Sequence, residues 1–318
     1  MKLDKFWISV VVVLVAGFAF TKLVDNEFYF FATYVVLQGL VMAVAWNILG
    51  GFTGYVNFGS AGFFALGAYT MVALNKAFGL PLPVMVLIAG TLSGLLGLGV
   101  GYISLRLKGV YFAIATLAIA LVLETVVNNS HYLGGAAGTY VIQPKESFIF
   151  DNYIELLFMF MLLIAVVATA VSRYLSASRL GMGLAAVRDD EVAAECMGVP
   201  TLKLKLISTT TMGIFMGLAG SLFPFFVTFV DPVSAFSLLI AVNSIAMPMI
   251  GGTAVWYGPV IGALVLGVVQ ETATVTISSE LNLLIVGVML VGFITMAPRG
   301  IVGLYEDYKA KRKGQNNG

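Results

Sequence analysis

Two acidic residues, Glu124 and Glu271, lie inside long apolar stretches of this sequence, where an ionised side chain is costly. Glu124 shares one helix face with Asn128 and His131, which follow it by four and seven residues. Thr274 follows Glu271 by about one helical turn. Such carboxylates could line a vestibule and meet the amine of a solute, or could form a polar patch in contact with outside water. The residue pattern leaves both interpretations open.

Uncharged polar residues within the apolar stretches form a second group of candidates. Gln38 and Asn243 are suited to hydrogen bonding between neighbouring helices, and this is the favoured interpretation of both. If the acids are structural, a path for a solute must run among uncharged groups. The complete set of predicted pathway residues is Asn57, Ser60, Thr116, Glu124, Asn243 and Glu271.

The sequence gives no support for bond chemistry in this chain. It lacks the G-x-x-x-x-G-K-[ST] loop that cradles phosphates and the Gly-x-Ser-x-Gly nucleophile elbow. One cysteine, Cys196, and one histidine, His131, exclude an intramolecular disulfide, a cysteine metal cage and a multi-histidine site. We therefore expect no catalytic site, metal or cofactor in this chain, and uphill transport would need a partner or an ion gradient.

A charged segment at 176–202 separates two long apolar stretches. Ser178 is a suitable helix N-cap, and Gly198 with Pro200 is typical of a helix end. Apolar residues recur along the segment and predict contacts with the rest of the chain: Leu180, Leu184, Val187, Val192 and Met197. The charged residues can face water or a soluble partner: Arg179, Arg188, Asp189, Asp190, Glu191 and Glu195.

The composition identifies the class of protein that positions these residues. The chain is 60% hydrophobic and 10% charged, with a mean hydropathy of +1.00, whereas about a quarter of the residues in soluble domains are charged. We therefore predict one all-α, polytopic membrane domain over 1–318. The net charge is +1 and no basic patch has interleaved aromatic residues, so nucleic acid is not an expected partner.

A membrane-spanning helix needs about 20 largely apolar residues. The span at 57–75 is the weakest because it is rich in glycine, and it could instead be a broken or re-entrant segment buried by protein. Glycine pairs such as Gly97 with Gly101, or Gly213 with Gly217, predict close helix packing. The ten predicted spans are 6–24, 28–49, 57–75, 82–104, 109–128, 152–175, 203–226, 237–256, 258–277 and 282–298.

The 17 basic residues predict an orientation for these spans. If 176–202 is cytoplasmic and the spans alternate, both termini are cytoplasmic, and so is the polar tail at 299–318. Three basic residues, Lys22, Lys76 and Lys145, then lie outside, and the other fourteen lie inside, as the positive-inside rule requires. The first apolar run has no small-x-small cleavage site and is predicted to be a retained helix.

Four segments, in order along the chain, resemble one known family. They are GGFTGYVNFGSAGFFALGAY at 50–69, LRLKGVYFAIATLA at 105–118, IGGTAVWYGPVIGA at 250–263 and PRGIVG at 298–303. Together with the charged 176–202 segment, they are similar to the branched-chain amino acid ABC transporter permease family, in particular its M-type subunit. The resemblance extends from about residue 46 to residue 303.

This resemblance implies a permease subunit that moves branched-chain or hydrophobic amino acids across a prokaryotic inner membrane by alternating access. It also implies a second permease, two cytoplasmic ATPases that bind ATP and Mg²⁺, and an extracytoplasmic binding protein. The 176–202 segment would couple the permease to the ATPases. The residues implied in this coupling are Arg179, Gly181, Arg188, Asp189, Asp190, Glu191, Glu195 and Gly198.

Two alternatives stay open at this point. Within the family, the transported solute could be urea or another small amide. In another class, the protein could be an ion-coupled secondary transporter or a channel, although the evidence for ion coupling in the sequence is thin.

Overall fold

The computed structural model describes residues 3–24, 26–104, 107, 109–142, 152–276, 282–297 and 299–315. Its regular secondary structure is helical apart from one two-residue strand pairing. Strand β1 (Thr139–Tyr140) pairs antiparallel with β2 (Phe229–Val230). The helices are α1 (Leu3–Leu23), α2 (Glu27–Thr53), α3 (Ser60–Phe78), α4 (Leu82–Ser104), α5 (Val110–Asn128), α6 (Tyr153–Ala177), α7 (Arg179–Asp189), α8 (Glu191–Cys196), α9 (Thr201–Ser221), α10 (Phe223–Val227), α11 (Pro232–Ala235), α12 (Leu238–Gly251), α13 (Gly258–Thr276), α14 (Asn282–Met296) and α15 (Gly300–Gln315).

Within the described residues, seven helical segments are long and apolar enough to cross a membrane. The prediction of an all-α, multi-pass membrane protein is therefore confirmed. The other three predicted spans coincide with α3, α13 and α14. The apolar parts of α13 and α14 are shorter, Gly258–Thr274 and Leu284–Phe293. The total of ten membrane crossings thus stays a prediction.

Helix α3 corresponds to the weakest predicted span, at 57–75. It is a regular helix that packs against α4, α5 and α9, and its residues from Ser60 to Ala65 and from Gly67 to Val72 are buried. Because protein rather than lipid surrounds these residues, α3 can carry more glycine and polar side chains than a lipid-facing span. This surrounding explains why hydropathy alone detects α3 poorly.

Helix α2 forms the centre of the bundle and contacts α6, α9, α12 and α13. From Val36 to Thr53 every residue of α2 is buried, as expected for a helix that is apolar on all sides. Helices α3 and α9 meet at glycine: a Cβ atom added at Gly67 would lie 2.1 Å from the carbonyl oxygen of Gly217. The predicted close packing at Gly217 is therefore confirmed.

The start of α1, the end of α6 and the connection between α12 and α13 lie at the same end of the bundle, as the predicted alternation of spans requires. The guanidinium group of Arg173 of α6 lies over the ring of Phe6 of α1. The guanidinium carbon is 4.1 Å from the ring centroid. The Phe6 ring also contacts Trp256, between α12 and α13, at 5.7 Å. Helices α7 and α8, which form a helical hairpin, also lie at this end, and we call it the hairpin end. The end that carries β1, β2 and α11 is called the opposite end. Which end is cytoplasmic stays a prediction, and Arg106, Lys108 and Lys145 lie outside the described residues.

Candidate functional site

The 176–202 segment folds into a helical hairpin made of α7 and α8. The Ser178 hydroxyl accepts a hydrogen bond from the Gly181 amide, so the predicted N-cap is confirmed. Asp190 ends α7 and caps α8, because its carboxylate accepts the amides of Val192 and Ala193 at 2.9 and 3.1 Å. Gly198, with φ +81°, follows the end of α8, as the sequence predicts.

The inner face of the hairpin is packed firmly onto the bundle. Leu184 and Val187 are 2% and 3% exposed, and α7 contacts α2, α6 and α9. A Cβ atom at Gly181 would lie 2.3 Å from the Leu175 carbonyl oxygen, so α7 passes close to the backbone of α6. The hairpin is therefore an integral part of the membrane domain, not a loosely attached loop.

The outer face of the hairpin combines charged and apolar side chains. Arg179, Arg188 and Asp189 are exposed, as predicted for residues that face water or a partner. The prediction that Val192 and Met197 contact the rest of the chain is wrong, since they are 58% and 85% exposed. They are exposed because the short helix α8 turns Ala194 and Glu191 toward the bundle and leaves its other faces outward. Contiguous exposed apolar groups rimmed by polar residues can mark a protein-binding surface.

Glu191 and Glu195 do not both point outward as expected. The Glu191 carboxylate lies 2.7 Å from the Lys205 ammonium group and accepts the Tyr55 hydroxyl at 2.5 Å. The Thr201 hydroxyl donates to Glu195 at 2.6 Å. The physical reason is that α8 runs back toward α9, which brings its acidic residues against groups at the base of the bundle.

We call Tyr55, Glu191 and Lys205 the ionic cluster. Lys205 is 3% exposed, Tyr55 is 8% exposed, and the Glu191 side chain is 13% exposed. Burial, with the hydrogen bond to Glu191, raises the pKa of the Tyr55 phenol above its usual range. The tyrosine therefore stays protonated and acts as a donor to the carboxylate.

A cavity of about 340 Å³ lies between α2, α12 and α13, toward the opposite end. Polar and apolar side chains both line it, and we call it the polar cavity after its polar residues. Its wall includes two predicted pathway residues, Asn243 and Glu271, and also Gln38 and Gln270. The Gln270 amide donates to the Asn243 side-chain oxygen at 3.1 Å, and Gln38 donates to the carbonyl of Ala219 at 3.1 Å. The helix-bridging roles expected for Gln38 and Asn243 are thus present within a cavity wall.

Glu271 is half-buried in this wall, and none of its contacts in the described part of the chain is an ion pair or a hydrogen bond. The remaining wall is largely apolar, with Val35, Met42, Ile240 and Met247. One acid, several amides and an apolar surface can together hold a small molecule that carries both a cationic group and an apolar side chain.

Three other predicted pathway residues have structural partners and do not line this cavity. Asn57 accepts the Gly59 amide at 2.7 Å, which shapes the start of α3. The Ser60 hydroxyl pairs with that of Ser244 at 2.9 Å, and the Thr116 hydroxyl accepts the Phe58 amide at 3.2 Å.

Glu124 on α5 is partly buried and does not contribute to the polar cavity either. The structure therefore separates the two acids that the sequence singled out. In the described residues, no group of three His, Cys, Asp or Glu side chains could hold a metal ion.

Sequence reasoning missed Tyr55, Lys205, Gln270 and Glu155. Lys205 and Glu155 both fall within predicted spans, and both are buried, at 3% and 4% exposure. Their charge inside an apolar run was a usable signal. Tyr55 carried no comparable signal, because it is uncharged and lies in a connection between two predicted spans.

Residues 28–294 match the model of the branched-chain amino acid transport system permease component family. The chain is similar to the high-affinity branched-chain amino acid transport system permease protein LivM of Escherichia coli, with 27% identity over 97% of this chain and 77% of that protein. The LivM protein of Salmonella typhimurium is also 27% identical, over 88% and 71% of the two chains.

A more distant relative is a probable branched-chain amino acid transport permease protein, LivH, of Methanocaldococcus jannaschii. It is 25% identical over 82% of this chain and 86% of its own length. No solved structure matches this chain.

Proposed function

This chain belongs to the family of branched-chain amino acid transport system permease components, and we propose that it is the membrane-spanning subunit of an ATP-driven ABC importer. Its solutes would be branched-chain or other hydrophobic amino acids, which is what the names of its LivM and LivH relatives suggest. Its cellular location would be the inner membrane of a prokaryote. The chain itself would catalyse no bond chemistry.

The structural observation that carries this proposal is the outer face of the α7–α8 hairpin. A rigidly anchored hairpin with exposed Arg188, Val192 and Met197 suits a soluble partner, since Arg and Met are enriched in protein interfaces. That partner would be one of two ATP-binding subunits, which bind ATP with Mg²⁺. A second permease subunit and an extracytoplasmic binding protein complete the proposed assembly.

In the proposed mechanism, closure of the ATPases moves the hairpin and switches the permease between outward-open and inward-open states. The polar cavity would be part of the solute path. Glu271 would meet the ammonium group of an amino acid, and Val35, Met42 and Ile240 would contact its apolar side chain. A cavity for urea would need no such apolar wall, so the amino acid is the favoured solute.

The proposal is tested by purifying the complete transporter and reconstituting it into liposomes. Uptake of radiolabelled leucine is then measured in the presence of the binding protein. We expect the ATPases to co-purify and uptake to require ATP hydrolysis. Replacing Val192 and Met197 by serine should weaken ATPase binding, whereas the same change at exposed Val122 on α5 should not. Uptake driven by an ion gradient without any ATPase would instead identify a secondary transporter.

The proposed orientation has its own test. Single cysteines at positions 145 and 188, in a Cys196→Ser background, should react with an impermeant thiol reagent from opposite sides of the membrane. Labelling of both cysteines from the same side would contradict the ten-span topology.

A further inference from the structure

We infer that the ionic cluster of Tyr55, Glu191 and Lys205 is the link through which movement of the α7–α8 hairpin reaches the membrane-spanning helices. The inference rests on the proposed function, because it presupposes an ATPase bound to the hairpin. It assigns positioning roles to three residues that do not themselves lie on the exposed docking face.

The cluster joins three separate elements by short polar contacts. Glu191 is the first residue of α8, Lys205 lies near the start of α9, and Tyr55 lies in the connection between α2 and α3. The Lys205 ammonium group is 2.7 Å from one oxygen of Glu191 and 3.2 Å from the Tyr55 hydroxyl. It also lies over the Tyr55 ring, 4.7 Å from the centroid.

These contacts differ in kind from the other contacts of the hairpin. Leu184 and Val187 attach α7 by apolar packing, which is non-directional and tolerates small displacements along the surface. A buried, charge-assisted hydrogen bond has a defined length and direction, so separating its partners is costly. Displacement of α8 must therefore carry Lys205 and Tyr55 with it.

From Tyr55 the movement has two routes into the bundle. Its ring packs edge-on against Phe112 of α5, with centroids 5.1 Å apart. Tyr55 also follows directly on the end of α2, which is continuous back to Gln38 in the wall of the polar cavity. Thr53 lies fifteen positions after Gln38, so α2 spans about 22 Å between the cluster and the cavity at 1.5 Å per residue.

The experiment uses the complete transporter in liposomes and measures leucine taken up per ATP hydrolysed. The mildest variant is Tyr55→Phe, which keeps the ring packing and the Glu191–Lys205 pair and removes one hydroxyl. Glu191→Gln removes the charge and keeps the shape. We expect both variants to bind the ATPase and hydrolyse ATP, while uptake per ATP falls several-fold below that of the parent.

The matched control is Tyr132→Phe. The Tyr132 hydroxyl also donates one hydrogen bond, to the carbonyl of Ala73 at 3.3 Å, but it lies at the opposite end of the bundle. This variant should keep the parental uptake per ATP. Lys205→Arg, which retains the charge, should keep more coupling than Lys205→Met.

Three results would overturn the inference. Parental uptake per ATP in both Tyr55→Phe and Glu191→Gln would mean that the cluster does not transmit movement. Loss of ATPase binding in these variants would mean that it only shapes the docking face. If the parental chain binds no ATPase at all, the proposed function fails together with this inference, whereas the first two results leave the proposed function intact.

Discussion

The ionic cluster and the polar cavity each contain a glutamate that is shielded from water at least in part, and the two glutamates have opposite surroundings. Glu191 is held by a lysine and a tyrosine within 2.7 Å. Glu271 faces a cavity of about 340 Å³, with no ion-pair or hydrogen-bond partner among the described residues. A carboxylate whose oxygens already bind neighbouring side chains can hold elements together, but it is not available to bind a ligand. An acid that faces an open cavity can accept a cationic ligand.

The energetic consequence of this difference concerns what each acid loses on mutation. A buried ion pair contributes little compared with a well-packed apolar pair, but loss of one partner leaves a buried charge that is not compensated. Around Glu271, removal of the charge leaves no opposite charge behind. Loss of the Lys205 charge should therefore lower stability in addition to its effect on coupling, whereas mutations in the polar cavity should lower transport with little change in stability.

The largest effect is expected for Lys205→Met. This change removes the ammonium group that lies 2.7 Å from the Glu191 carboxylate, and loss of one partner of a buried ion pair should lower the free energy of unfolding by about 3–5 kcal/mol. Thermal unfolding of the purified chain in detergent measures the effect. The double variant Glu191→Gln with Lys205→Met should recover part of this loss, because it removes both charges. A single variant as stable as the parent would mean that the two regions do not differ in the way described.

The second prediction concerns Glu271→Gln, which keeps the size of the side chain and removes its charge. Loss of a charged contact to the ammonium group of leucine, worth about 1.5–3 kcal/mol, should reduce uptake at low solute concentration by about tenfold or more. The unfolding temperature should barely change. Glu124→Gln, outside the cavity, should have a much smaller effect. Parental uptake by both variants would show that both acids are structural.

The helical membrane class and the ends of the hairpin were predictable because they depend on local sequence. Ser178 and Gly198 act within a few residues of their own position. The ionic cluster was not predictable in this way, since Tyr55 is 136 residues from Glu191 and 150 from Lys205. Only the packing of α2, α8 and α9 brings these residues together.

The pathway residues show the same limit. Asn57, Ser60 and Asn243 are all polar residues in apolar stretches of the sequence. The sequence pattern therefore predicts the same role, as pathway residues, for all three. Their partners differ: Asn57 and Ser60 bond to neighbours inside the bundle, whereas Asn243 lies in a cavity wall. A polar residue in an apolar stretch is expected to have a hydrogen-bond partner. Whether a cavity lies next to it depends on the packing of the helices.

The third prediction is a smaller effect, for Asn243→Ala. This change removes the acceptor of the Gln270 amide, which would cost about 1–3 kcal/mol in a closed core. Because the pair borders a cavity, water can replace the lost partner, so we expect a loss of stability of only about 0.5–1 kcal/mol. The apparent affinity for leucine in uptake assays should fall together with it. A loss of stability as large as that of Lys205→Met would mean that the cavity is closed and structural.

The smallest effect on stability is expected for the exposed pair Arg188 and Asp189, whose side chains are 36% and 73% exposed and 3.4 Å apart. Exposed ion pairs contribute at most about 1 kcal/mol, so Asp189→Asn should leave the unfolding temperature nearly unchanged. Arg188→Glu should also leave it nearly unchanged, yet should weaken ATPase binding at low salt, because it reverses a charge on the outer face of the hairpin. High salt should reduce the difference from the parent. If reversal at Arg188 destabilised the fold as strongly as Lys205→Met, the hairpin would have no separate inner and outer faces.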